Sequence, residues 1–245
     1  MAVENVLAGN AAANRARERL ATPGKRTALV AGVVGRLGET LLNGLLARGG
    51  YTEVIALAER PVNLGISKLS VAGLDQLPPI DDLFILLGGD DFSTSRSFHG
   101  RDAPFVSVHE HNALGIARAA NASRITLVSA SSAWQQFGPL NQGLTSPLER
   151  ELAALECRRF VVLRPVRENK QAGLGFVQRF VNVYLSIQML MMPRSVPTLT
   201  SEQVARATVL VLADHDVQGV SVLGAADLAD VLSGSAASAA SNAAG

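Results

Sequence analysis

The sequence predicts a single α/β domain built on one parallel, doubly wound sheet with helices on both faces. Short apolar runs typical of buried strands alternate with amphipathic, helix-like segments from residue 26 to residue 232. A glycine-rich turn joins the first of these strands to the first helix. The length of 245 residues fits one domain of this class and does not require a second.

Composition narrows the classes of function. Hydrophobic residues make up 48% of the chain and charged residues 18%, which allows a sizeable core. The net charge is +1 and no basic block occurs, so no nucleic-acid partner is predicted. No apolar run is long enough to span a membrane. The single cysteine, Cys157, excludes an internal disulfide framework and indicates a reducing, cytoplasmic location.

Both ends of the chain differ in composition from the predicted domain of residues 25–232. Residues 1–24 are rich in alanine and arginine and lack the apolar run of a secretory signal. They are interpreted as an N-terminal extension that is partly helical. Residues 233–245 are mostly alanine and serine, whose side chains are too small to pack, and they are predicted to form a flexible low-complexity tail.

A predicted βαβ unit in residues 26–61 organises the domain. Its first strand, residues 28–31, is followed by Gly32, Gly35 and Gly38 at equal spacing. Leucines at helical spacing then predict a helix that stops at the next pair of glycines. A second apolar run completes the unit and predicts a strand parallel to the first.

The glycine turn predicts a dinucleotide site. Backbone N–H groups at a helix N-terminus hold a pyrophosphate well, and the helix dipole adds positive potential. Gly32 would permit the tight turn, Gly35 the close approach of the phosphate, and Gly38 the packing of helix on strand. Arg36 and Leu37 complete the loop and are included among the predicted cofactor-binding residues.

The end of the second strand bears on the choice of cofactor. Glu59 stands where an acidic residue usually binds the ribose hydroxyls of NAD. Arg60 beside it, and Arg36 inside the loop, could instead receive the 2′-phosphate of NADP. The sequence leaves this choice open and slightly favours NADP.

The rest of the domain continues the alternation of strands and helices. His109 and His111 are two residues apart in a predicted helix, so their side chains should point to different faces and be solvated. They are therefore not predicted to bind one metal ion. No metal site is predicted. The further elements are predicted strands at residues 66–71, 83–87, 125–128, 160–163 and 220–223, and predicted helices at residues 103–121, 173–192 and 201–212.

Two strand ends contribute further candidate residues on the cofactor side of the sheet. Gly88 and Gly89 follow a buried strand, where glycine would let the backbone pass close to a nucleotide. An ordinary turn at the end of the strand, with no role in binding, remains the alternative for these two glycines. A serine cluster containing Ser131 and Ser132 follows the next strand, and it could serve hydroxyl chemistry on a carbonyl or simply form a polar exit from the strand.

The order of these segments resembles the atypical short-chain dehydrogenase/reductase family, and more narrowly its NAD(P)-binding, NmrA-like branch with the Tat-interacting-protein-like oxidoreductases. The resemblance covers residues 26–232 and implies a Rossmann-like fold, an NAD(P) cofactor and an oxidoreductase ancestry. It is based on the glycine loop 32–38, Leu87-Gly88, Phe98, Asp102, Val128-Ser129, Leu163-Arg164-Pro165 and residues 204–207.

In active members of this superfamily a serine, a tyrosine and a lysine act together, with tyrosine and lysine four residues apart. The resemblance places the serine at Ser131. No Tyr-x-x-x-Lys sequence occurs in this chain, and the two positions fall near Asn141 and Thr145. Ser146 and the residues after it form a capping-box pattern, so a helix should begin at Pro147, beyond both positions.

Three functions remain open from the sequence. The first is a redox-impaired NAD(P)-binding protein that acts as a dinucleotide sensor or as a regulatory or assembly subunit. The second is an NAD(P)H-dependent oxidoreductase with a non-standard active site around Ser131. The third is a scaffold that no longer binds nucleotide, a reading that Val34 in the glycine loop allows. The hydrophobic helix predicted at residues 173–192 is either deeply buried or a surface for self-association or a protein partner.

Overall fold

The computed structural model describes residues 26–47, 50–62, 65–87, 105–130, 143–166, 198–213 and 218–243. These ranges contain a seven-stranded sheet. The strands are β1 (Thr27–Ala31), β2 (Glu53–Leu57), β3 (Leu69–Ala72), β4 (Asp82–Leu87), β5 (Arg124–Ser129), β6 (Arg159–Arg164) and β7 (Gly219–Gly224). The α-helices of the described ranges are α1 (Arg36–Ala47), α2 (Glu110–Ala120), α3 (Pro147–Ala153), α4 (Ser201–Ala213) and α5 (Ala225–Ala243).

The sheet has the order β3-β2-β1-β4-β5-β6-β7, and every neighbouring pair is parallel. The chain winds outward from β1 in one direction and, after crossing back to β4, outward in the other. The order therefore reverses between β1 and β4, which is the arrangement of a Rossmann-like sheet. The predicted fold class is confirmed.

Each face of the sheet carries its own apolar layer. Alternate residues point to opposite faces, so Val30 and Phe84 lie in one layer while Leu29 and Ile85 lie in the other. The first layer is covered by α1, α4 and α5, and the second by α2 and α3. Helices on both faces explain why the strands are continuous apolar runs with little alternation.

All strands begin at one edge of the sheet, called here the amino edge, and end at the opposite carboxyl edge. Buried ion pairs close the amino edge. Asp82, at the start of β4, accepts hydrogen bonds from Arg26, which precedes β1, and from Arg124, which begins β5. Arg159 begins β6 in the same register and donates to the carbonyl oxygen of Val211 near the end of α4 at 3.0 Å.

The helix predicted at residues 103–121 is shorter in the structure and begins at Glu110. The chain before it is extended, because Phe105 pairs with Ala58 in an antiparallel bridge and the N–H of Val106 donates to Leu57 at 3.2 Å. Backbone pairing with the end of β2 thus replaces the first helical turns.

This change also corrects the prediction for the two histidines. His109 precedes the helix, so helical spacing does not separate it from His111. Their rings stack with centroids 5.5 Å apart and do not point to different faces. Both side chains are exposed, as predicted.

Two other predicted segments differ from the structure or lie outside its described ranges. The range 233–243, predicted as a flexible tail, continues the helical backbone of α5 to Ala243. Alanine is the strongest helix former, and a helix does not need large side chains to form. The strand predicted at residues 66–71 starts only at Leu69, after Lys68 with its φ of 66°. Residues 1–24 and the hydrophobic segment 173–192 lie outside the described residues.

Candidate functional site

The β1–α1 turn has a backbone that requires glycine. Gly32 and Gly35 have φ angles of 86° and 88°, in the left-handed region that side chains disfavour. A Cβ atom at Gly32 would lie 2.4 Å from the carbonyl oxygen of Leu86, at the end of β4. The turn therefore sits directly against the neighbouring strand.

The start of α1 is equally close to this turn. A Cβ atom at Gly38 would lie 2.5 Å from the carbonyl oxygen of Val33, which is closer than real Cβ contacts come. Leu37 beside it is 2% exposed and packs in the first apolar layer. The helical hydrogen bonds begin where the N–H of Glu39 donates to Gly35 at 3.1 Å. The loop is thus held against the helix without room for another atom.

The position of this turn suits an anion. It lies at the carboxyl edge between β1 and β4, where the strand order reverses and ligands of open α/β sheets bind. The first N–H groups of a helix have no acceptor within the helix, and the helix dipole makes that end positive. The N-terminus of α1 can therefore receive a phosphate group at this crevice.

The residues predicted to select the cofactor lie at the carboxyl edge of the sheet. Glu59 and Arg60 are exposed and follow the end of β2, the strand next to β1. Arg36 is also exposed, and its Nη2 lies 3.3 Å from Oε1 of Glu202 on α4. The structure thus assigns to Arg36 a partner that the sequence did not indicate.

Several predicted site residues fall outside the described part of the chain. β4 and β5 end side by side, with Leu87 paired to Ser129. The chain therefore leaves both strands at the carboxyl edge. Gly88, Gly89, Ser131 and Asn141 come beyond these ends, outside the described residues.

Thr145, near which the resemblance places the lysine position, is itself exposed but bonds to two buried side chains, Glu149 and Arg164. Its backbone N–H donates to Oε2 of Glu149 at 2.7 Å, and its Oγ1 accepts from Nη2 of Arg164 at 3.0 Å. Arg164 also donates to Glu149 at 2.7 Å and to the carbonyl oxygen of Gly143 at 2.8 Å. The Arg164 and Glu149 side chains are 6% and 4% exposed.

This network ties the start of α3 to the end of β6. Ser146 caps the helix by accepting from the N–H of Glu149 at 3.1 Å, and the helix begins at Pro147, as predicted. Arg164 ends β6, so one guanidinium joins the strand end, the loop and the helix cap. Sequence reasoning recognised Arg164 only as part of a motif. The capping box was the signal that the Glu149 carboxylate folds back onto the turn before α3.

Tyr51, the one tyrosine among the described residues, does not supply the phenol that the resemblance leaves unmatched. Tyr51 is 8% exposed and lies under the guanidinium of Arg26, 5.3 Å from its ring centroid, at the amino edge. Burial raises the pKa of Tyr51, so its phenol stays protonated. Tyr184 lies outside the described residues.

The described residues hold no group of three or more His, Cys, Asp or Glu side chains that could bind a metal. Cys157 is half-buried against the second apolar layer, and burial raises the pKa of its thiol. No helix in the described ranges is long and apolar enough to cross a membrane.

Neither a protein-family model nor a curated protein matches the chain. Similar solved structures include a nucleoside-diphosphate-sugar epimerase from Staphylococcus aureus, with 15% identity, a TM-score of 0.43, and coverage of 80% of this chain and 69% of that one. A short-chain dehydrogenase/reductase variant from Serratia marcescens has 16% identity, a TM-score of 0.45, and coverage of 84% and 99%. A short-chain dehydrogenase from Streptomyces avermitilis has 16% identity, a TM-score of 0.43, and coverage of 90% and 95%. Such values support no conclusion about function.

Proposed function

We propose that this chain is an NAD(P)-binding protein of the short-chain dehydrogenase/reductase type. One observation carries the proposal. The β1–α1 turn has two glycines at positive φ and a third with no room for a Cβ atom, at the point where the strand order reverses. This is the geometry with which a Rossmann-like sheet holds a pyrophosphate.

The surroundings of the turn support a nicotinamide dinucleotide whose ribose lies beside β2. Glu59 and Arg60, exposed at the end of that strand, offer one group for ribose hydroxyls and one for a 2′-phosphate. Arg36 adds a second cation at the start of α1. Arg60, and Arg36 when it is released from Glu202, favour NADP over NAD.

We further propose that the protein is redox-impaired and acts as a dinucleotide sensor or as a regulatory or assembly subunit in a reducing compartment such as the cytoplasm. Thr145 carries no charge, and its hydroxyl is engaged by Arg164. It cannot replace a lysine that lowers a phenol pKa. Loss of the proton-transferring group alone would reduce the rate by about 10²–10⁴-fold.

The first test is thermal stabilisation of the purified protein by NADPH, NADP, NADH and NAD at millimolar concentration. A ligand at one hundred times its Kd adds about 2.7 kcal/mol of stability. We expect a clear shift in Tm with at least one dinucleotide. Gly35→Val should abolish the shift, because a branched side chain at a φ of 88° would displace the turn. The nucleotide-induced shift in Tm of the variant is compared with that of the unmutated protein, because the substitution also lowers the Tm of the free protein.

A matched control is Gly44→Ala, which lies farther along α1. Its Cβ atom would meet only Cγ2 of Val209, at an ordinary 3.5 Å, so the nucleotide response should be retained. No shift with any of the four nucleotides would refute the proposal and favour a scaffold. Oxidation of NADPH or NADH by an aldehyde, ketone or quinone panel would refute redox impairment and point to chemistry around Ser131.

A further inference from the structure

Helices α1 and α4 begin next to each other at the carboxyl edge. Near their starts, Arg36 of α1 reaches Glu202 of α4 at 3.3 Å. Farther along, a Cβ atom at Gly44 of α1 would touch Cγ2 of Val209 on α4 at 3.5 Å. The two contacts are separated by similar lengths of helix, so α1 and α4 run side by side in the same direction.

A capping box fixes the place of Glu202. Thr200 precedes α4, and its Oγ1 accepts from the N–H of Gln203 at 3.3 Å. The Gln203 side chain accepts in return from the N–H of Thr200 at 2.9 Å. Such reciprocal bonds define the first turn of a helix. Glu202 therefore presents its carboxylate from a fixed turn beside the start of α1.

We propose that Glu202 is a specificity-determining residue that neutralises Arg36 and so restrains the preference for NADP over NAD. This inference rests on the proposed dinucleotide site and deepens it. A 2′-phosphate that binds Arg36 competes with the carboxylate of Glu202 for the same guanidinium. NAD has no group there and leaves the pair intact.

The geometry indicates a pair that a ligand can exchange. The two side chains are 62% and 67% exposed, and one nitrogen–oxygen contact joins them. Exposed pairs of this kind are weak, so a phosphate with its higher charge can replace the carboxylate. The displaced carboxylate then remains near the phosphate and repels it. Both effects weaken NADP binding and both are reduced by salt.

The test measures Kd for NADP and for NAD by titration calorimetry, at low and at physiological ionic strength. The variants are Glu202→Gln, Arg36→Met and the double variant. We expect Glu202→Gln to raise the ratio of NADP to NAD affinity by about three- to tenfold at low salt and by less at high salt. On the Arg36→Met background the same change should have a smaller effect, because the cation it competes for is gone.

Glu151→Gln serves as the control, because Glu151 is an exposed carboxylate on α3, away from α1 and α4. It should leave the ratio unchanged. An unchanged ratio in Glu202→Gln, with both nucleotides binding, overturns the inference and leaves the proposed function standing. An equal rise in Glu151→Gln also overturns it, since net charge alone would then explain the effect. If the unmutated protein binds neither nucleotide, the proposed function fails and this inference fails with it.

Discussion

The two edges of the sheet use the same arginine–carboxylate chemistry in opposite surroundings. At the amino edge, Nε of Arg124 lies 2.5 Å from Asp82, and the two side chains are 8% and 1% exposed. At the carboxyl edge, the Arg36–Glu202 pair is 3.3 Å long and mostly exposed. The first pair is bidentate and shared with Arg26, whereas the second has one contact.

This difference in burial distinguishes an ion pair that stabilises the fold from one whose partners a ligand can exchange. A buried carboxylate between two guanidinium groups cannot be removed without leaving cations in an apolar surrounding. An exposed pair loses little when water or a ligand replaces one partner. The amino edge therefore holds three strand starts in register, while the carboxyl edge keeps a cation free to change partners. The buried Arg164–Glu149 pair shows that the carboxyl edge is also anchored where no exchange is required.

The largest effect is expected from Asp82→Asn at the amino edge. The change keeps the shape of the side chain and removes the charge that Arg26 and Arg124 share. Leaving a buried ion without its partner costs about 3–5 kcal/mol. We expect a loss of that size in the free energy of unfolding, measured by urea denaturation near neutral pH.

Glu151→Gln is the control for this measurement, because its carboxylate is exposed. It should change the unfolding free energy by less than about 0.5 kcal/mol. A loss below about 1 kcal/mol in Asp82→Asn would show that burial does not distinguish the two edges and would remove the basis of the comparison.

A smaller effect is expected from an added methyl group at the carboxyl edge. Gly38→Ala places a Cβ atom 2.5 Å from the carbonyl oxygen of Val33, so the loop or the helix must shift. Overpacking of this kind costs about 1–3 kcal/mol and should outweigh the helix propensity of alanine. Gly44→Ala in the same helix meets only an ordinary contact and should be neutral or stabilising by up to about 1 kcal/mol.

Denaturation curves of these two variants test whether the β1–α1 turn is closely packed, although the ion pair beside it is exposed and can exchange partners. Equal stabilities would contradict the close packing of the turn. We also expect Gly38→Ala to weaken the thermal response to dinucleotide, whereas Gly44→Ala should retain it. The pair thus separates the packing of the turn from the general effect of alanine in a helix.

The sequence was sufficient for the fold because the fold depends on local patterns. Apolar runs identified the strands, and the glycine spacing identified the turn whose φ angles the structure gives as 86° and 88°. The pattern Ser146-Pro147 located the start of α3. The predicted start of the helix at residues 103–121 was wrong, because the backbone pairing of Phe105 with Ala58 depends on a distant part of the chain.

The ion pairs were not predictable for the same reason. Arg124 and Asp82 are 42 positions apart in sequence, and Arg36 and Glu202 are 166 apart. Strand register brings the first pair together, and the packing of α1 on α4 brings the second. For the amino edge, an available signal was the charged residue at or just before the starts of β1, β4 and β5, since a charge beside a buried strand needs a partner.

After Asp82→Asn and Gly38→Ala, the smallest of the three destabilisations is expected from Glu202→Gln, the exposed counterpart of Asp82→Asn. Both changes remove one carboxylate charge from an arginine and keep the shape of the side chain. Double-mutant cycles on exposed pairs give about 0.2–1 kcal/mol, so the free energy of unfolding should fall by less than about 1 kcal/mol. Capping by Thr200 and Gln203 does not involve the carboxylate and should persist.

The informative result is the contrast between stability and binding in this one variant. Glu202→Gln should hardly change the urea midpoint while it raises the affinity for NADP relative to NAD. A loss of several kcal/mol would instead assign the Arg36–Glu202 pair to the structural class of the amino edge. The pair would then be too strong for a 2′-phosphate to displace, and Arg60 alone would be left to select the cofactor.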